Sequence, residues 1–139
     1  MILLDSSGLL SAIDASQRHH TTCAEVLAEA SPPLRLFPFV LAELDDLLAT
    51  QVDGRAQLAL FDEIARAVYR LEPFSAHDAA VAADVMRRYA NLAIGLADAS
   101  IVVLAGRYGL RDVLTLDERH FRTFRLPDGR RFRLLPADR

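Results

Sequence analysis

Residues 91–106 form a run of sixteen residues with one charge, Asp98. A run of that length and polarity suits a buried helix. An ionised carboxylate inside it is costly unless a partner, hydrogen bonds or a metal compensate it. Ile94, Ile101, Val102 and Ala105 lie four residues before and three, four and seven after Asp98, so a helix over this run puts the acid on its apolar face. The segment is unsuited to a membrane span, because an isolated mid-helix Asp is expensive in lipid and Gly and Ser interrupt the run. The expectation is an inward-facing acid at the floor of a pocket.

The rest of the chain alternates short apolar runs with amphipathic stretches. Strands are expected at residues 2–4, 34–37, 69–73, 112–116 and 131–135, the last alternating as an edge strand should. Helices are expected after Asp5, from about His19 to the Ser31-Pro32-Pro33 stop, over 39–50, over 55–68, and from Ser75 to Tyr89. The Ser75 helix opens on a capping box with Asp78 in place of Glu. There is no repeat, linker or low-complexity segment. This pattern predicts a single α/β domain over residues 1–139 with a mainly parallel sheet. A chain of 139 residues can bury about two thirds of its unfolded surface, so no disulfide or metal staple is required. Cys23 stands alone in a helical pattern and reads as a core residue. The adjacent pair His19-His20 reads as surface, because neighbours on a helix do not face each other. The first residues lack the basic start and long apolar core of a signal peptide, which points to the cytoplasm.

Charge narrows the chemistry. The net charge is −3, and all sixteen basic residues are Arg. Lacking Lys, the chain can form neither a P-loop nor a Schiff base. Nine of the arginines fall from Arg107 onward, against five acids, so an acidic body carries a basic C-terminal quarter.

Four acids stand out by position. Asp5 and Asp117 each follow a predicted strand, where open α/β sheets gather ligands. Glu43 and Asp98 share helix faces with apolar residues; Glu43 has Phe39, Val40 and Leu47 at helical spacing. Each has a plainer reading. Asp5 and Asp117 would serve as helix caps, and Glu43 as a rim residue whose carboxylate reaches water. Together at one sheet edge, four carboxylates would repel strongly unless a divalent cation neutralised them. Hard oxygen donors without paired Cys or His favour Mg²⁺ or Mn²⁺ over Zn²⁺. Such a site commonly acts on phosphate esters.

The segments Leu3-Leu4-Asp5-Ser6-Ser7, Leu41-Ala42-Glu43-Leu44, Gly95-Leu96-Ala97-Asp98-Ala99-Ser100-Ile101 and Leu114-Thr115-Leu116-Asp117-Glu118-Arg119-His120-Phe121 resemble the ordered acidic motifs of PIN-domain ribonucleases, specifically VapC-type toxins of bacterial type II toxin-antitoxin systems. The resemblance covers nearly the whole chain. It implies a PIN-like three-layer α/β/α sandwich with a five-stranded, mainly parallel sheet, and Mg²⁺- or Mn²⁺-dependent endonucleolytic cleavage of RNA, tRNA or rRNA, to 5′-phosphate and 3′-hydroxyl ends. It also implies inhibition of translation, a homodimer and a cognate VapB-type antitoxin. Asp5, Glu43, Asp98 and Asp117 take the positions of the family's catalytic, metal-binding acids. Ser6, where Thr is commoner, and Thr115 take the supporting hydroxyl positions. Arg119, Arg122 and Arg125 are candidate RNA-phosphate contacts, with solvated ion pairing as the alternative. His120 is assigned no role.

Two rival readings remain. A weak or inactive PIN-like module would receive a basic peptide in its acidic pocket. A haloacid-dehalogenase-like phosphatase would use Asp5 as phospho-acceptor, but it wants a second Asp where this chain has Ser7, and a Lys.

Overall fold

The computed structural model describes residues 1–139. Strands β1 (Leu3–Leu4), β2 (Leu34–Leu36), β3 (Tyr69–Leu71), β4 (Asp112–Leu114) and β5 (Arg133–Leu135) form one sheet in the order β3-β2-β1-β4-β5, with every pair parallel. The helices are α1 (Ser6–Ile13), α2 (His20–Glu29), α3 (Pro38–Gln51), α4 (Gly54–Ala65), α5 (Ala76–Arg88), α6 (Leu96–Tyr108) and α7 (Glu118–Phe121). They cover the sheet in the expected α/β/α arrangement. Helices covering both faces explain why the central strands are apolar at consecutive positions: Leu3, Leu4, Val113 and Leu114 are all essentially inaccessible.

The chain order creates a switch point. From β1 the chain moves outward through β2 and β3, then returns to the other side of β1 for β4 and β5. The segments leaving β1 and β4 therefore emerge side by side at one edge of the sheet, the place where this kind of fold opens a crevice. Close packing of α1 holds this edge together. A Cβ on Gly8 would lie 2.5 Å from the Leu114 carbonyl oxygen, so only glycine lets α1 approach β4 closely enough.

Two expectations need correction. The apolar run over 91–106 is not one helix. A 3-10 turn covers Ala90–Leu92, Ala93 takes a left-handed backbone (φ 49°), and extended Gly95 caps α6. Only the part from Ala99 to Ala105 is buried, and Ile94 packs on the core from the loop. Asp98 thus sits in the first turn of α6 instead of at mid-helix, where the positive end of the helix dipole favours its charge. The last strand is shorter than 131–135: Arg131 forms an isolated antiparallel bridge with Arg125 and leaves only Arg133–Leu135 in the sheet. Elsewhere local signals hold. Ser75 and Asp78 form the reciprocal capping box at α5, Cys23 is fully buried, and His19 is exposed. No helix is long and apolar enough to cross a membrane.

Candidate active site

Asp5 leaves β1 and occupies the N-cap position of α1, yet its side chain makes no cap hydrogen bond. Its Oδ2 instead accepts from Ser7 Oγ (2.6 Å) and Thr115 Oγ1 (2.7 Å). Those hydroxyls accept in turn from the main-chain amides of Leu116 and Asp117, each at 3.0 Å. Protons thus point in series from the β4 exit towards Asp5, a chain in which each bond polarises the next. Thr115, named from the sequence as a supporting hydroxyl, and Ser7, given no part in the site there, thus bond the same Asp5 oxygen.

Ser6 turns the other way and donates to Glu43 Oε1 of α3. The buried face of α3 is Val40, Leu44 and Leu48, while Glu43 lies exposed at the rim. Spacing alone had left Glu43 between an inward acid and a rim acid. It is the rim acid, and it reaches the site through Ser6.

Asp98, Asp117 and His120 complete the edge. Asp117 caps α7, accepting from the His120 amide at 3.1 Å. The His120 ring places Nδ1 3.1 Å from Asp98 Oδ2 and 3.0 Å from Asp117 Oδ2. The structure therefore brings all four acids to one edge and adds His120, which the sequence left without a role. Its signal was present in the spacing: three residues after a capping Asp, a side chain folds back over the cap.

Asp5 is buried, whereas Asp98 and Asp117 are half-buried. Burial holds the Asp5 carboxyl above its ordinary value despite the hydroxyls of Ser7 and Thr115, and the charge of Glu43 adds to the effect. Asp98 is pushed up to about 6, first by burial and then by the charge of Asp5; His120 opposes this, while Asp117 and Glu43 reinforce it. No arginine forms an ion pair with any of the four acids. A cluster of oxygen donors that raises the carboxyls of Asp5 and Asp98 and holds no arginine suits a hard divalent ion. Asp98, Asp117 and His120 have donor atoms close enough together to hold one.

A family model described as PIN domain matches residues 2–125. The chain belongs to the PIN-domain family. Among its relatives is Ribonuclease VapC26 of Mycobacterium tuberculosis (strain ATCC 25618 / H37Rv), 39% identical over 135 residues that span 97% of this chain and 100% of the relative. That likeness places this PIN domain with the VapC ribonucleases. The crystal structure of Mycobacterium tuberculosis VapC20, described as a Sarcin-Ricin loop cleaving toxin, shares the fold with a TM-score of 0.78, covering 86% of this chain and 92% of that chain at 22% identity.

The three arginines singled out beyond Asp117 have different surroundings. Arg122 makes a bidentate pair with Asp138 and also meets Glu118. Arg125 donates Nη1 to the carbonyls of Arg122, Thr123 and Phe124. Arg119 is exposed on α7, with its guanidinium in no ion pair.

Proposed function

We propose that this PIN domain is the toxin of a toxin-antitoxin pair, a Mg²⁺- or Mn²⁺-dependent endoribonuclease that cuts tRNA or rRNA in the cytoplasm and so inhibits translation. The observation that carries this reading is the convergence of Asp5, Glu43, Asp98 and Asp117 at the switch-point edge with no arginine paired to any of them. A divalent ion held there by these acids would supply neutralisation of phosphodiester charge and a lowered water pKa, so that hydroxide is available near neutral pH. The chain's own residues hold and orient. Ser7 and Thr115 fix one Asp5 oxygen. Ser6 steers Glu43, and the first turn of α6 aims Asp98. Arg119, exposed two residues beyond Asp117, would meet RNA phosphate.

The kinship with VapC proteins supports a VapB-type antitoxin as partner and a homodimer as the assembly. Exposed apolar side chains on α4, Leu58 (68% exposed) and Phe61 (43%), offer a face for a protein contact. The test is incubation of antitoxin-free protein with total tRNA and rRNA plus Mg²⁺ or Mn²⁺, with mapping of the new ends. Discrete cuts bearing 5′-phosphates, lost with EDTA, are expected. Metal-independent binding of a basic peptide, with no cleavage at equimolar protein, would instead favour a binding module.

A further inference from the structure

His120 is the imidazole among the four histidines that the fold sets between two carboxylates. His20 uses Nδ1 on the Ser11 carbonyl at 2.9 Å, and His19 lies exposed. We propose that His120 is a nitrogen ligand of the cation held at the acid edge, contributing Nδ1 beside Asp98 and Asp117, and that it biases the site towards a first-row transition ion such as Mn²⁺ over Mg²⁺. This inference rests on the metal-dependent reading above and adds a donor to it.

Geometry supports the assignment. Nδ1 stands 3.1 Å and 3.0 Å from the two carboxylate oxygens. Neighbouring donors on an octahedral ion with bonds of about 2.1 Å lie about 3 Å apart, so the donors are already spaced as adjacent ligands. The ring is also held from behind. It stacks on Phe124 with centroids 6.0 Å apart and planes at 29°, and Phe124 is fully buried between Tyr89 and Phe121. The His120 amide is tied to Asp117 through the α7 cap, so ligand and neighbouring carboxylate move as a unit. Little side-chain freedom remains to be lost on ligation.

The choice of ion follows from donor chemistry. Carboxylates suit Mg²⁺ and Mn²⁺ alike, whereas imidazole is a softer donor that suits transition ions. Mg²⁺ gives up its waters reluctantly and prefers oxygen. Replacing one oxygen donor by Nδ1 should therefore cost Mg²⁺ more than Mn²⁺.

The experiment loads the metal-free full chain with Mn²⁺ alone and records pulsed electron paramagnetic resonance on wild type, on protein labelled with ¹⁵N-histidine, and on His120→Gln. Parallel calorimetry measures Mn²⁺ and Mg²⁺ binding. The expected result is a directly coupled imidazole nitrogen that changes with the label and disappears in His120→Gln. Mn²⁺ affinity should fall about 10- to 100-fold, while Mg²⁺ affinity falls by less than about threefold; retained Mg²⁺ binding also shows that the variant is folded. Bound Mn²⁺ without nitrogen coupling would overturn the assignment, leaving His120 a hydrogen-bond donor to the two acids and the metal-dependent nuclease intact. Equal losses of both ions in His120→Gln would overturn the preference. Failure of either ion to bind wild type would overturn this inference and the metal-dependent reading together.

Discussion

Asp5 and Glu72 are equally buried, each 4% exposed, and the fold treats them in opposite ways. Glu72 follows β3 and meets Arg35, Arg107 (3.4 Å) and the Tyr108 hydroxyl (2.9 Å). Burial pushes its carboxyl up, but hydrogen bonds from Arg35 and Tyr108, with the charges of Arg35 and Arg107, outweigh that and hold it below its ordinary value. Arg107 also reaches Asp78 at 2.7 Å, linking α6 to the start of α5. Asp5 has hydroxyl and backbone donors but no arginine, so burial, with the charge of Glu43, leaves its carboxyl raised. On the proposed function, burial by itself does not mark a working carboxylate in this protein; burial without an arginine partner does.

The largest expected effect separates the two regions. Asp98→Asn should lower RNA cleavage about 10²- to 10³-fold or more with little loss of stability, read by end mapping beside thermal unfolding. Glu72→Gln should do the reverse. Leaving Arg35 without its anion and Arg107 with Asp78 alone should cost about 3–5 kcal/mol, measured by urea unfolding, with cleavage per folded molecule unchanged.

These two acids also show what a sequence can disclose. The strands were legible as short apolar runs between turn signals, and Asp5 and Asp117 stood out because each follows one. Glu72 follows a strand too, but its partners lie 37 residues before it and 35 and 36 residues after it, and no local pattern announces such pairing. The start of α6 was hidden because the apolar run continues through it; the left-handed backbone at Ala93 breaks the helix without a Pro, and Gly95 read as part of the run. Ser7 and His120 act through contacts that exist only once β1, β4 and α7 meet. Glu43 was open on spacing because a long side chain at a helix rim can turn either way.

Thr115→Val gives an intermediate effect. It removes a proton donor to Asp5 and an acceptor for the Asp117 amide, so metal affinity or cleavage should fall about 10- to 100-fold, and stability by about 1–2 kcal/mol.

The two regions should also differ in pH dependence. Asp98 titrates near 6 in the folded protein, above its unfolded value, so the native state takes up that proton first. Metal-free protein should therefore gain about 1 kcal/mol of stability between pH 7 and pH 5, and Asp98→Asn should flatten that gain in urea titrations with EDTA. Glu72, with its lowered value, should lose its contribution only when pH falls below the ordinary carboxylate range. The smallest effect is expected of Arg119→Ala, which should weaken RNA binding and reduce the salt slope by about one without altering stability.

The most direct test of the contrast is metal-dependent RNA cleavage per folded molecule, measured for Asp98→Asn and Glu72→Gln under identical conditions. The account predicts a folded, inactive Asp98→Asn and a destabilised Glu72→Gln whose folded fraction cuts at the wild-type rate. Cleavage retained by Asp98→Asn, or lost by folded Glu72→Gln, would contradict it.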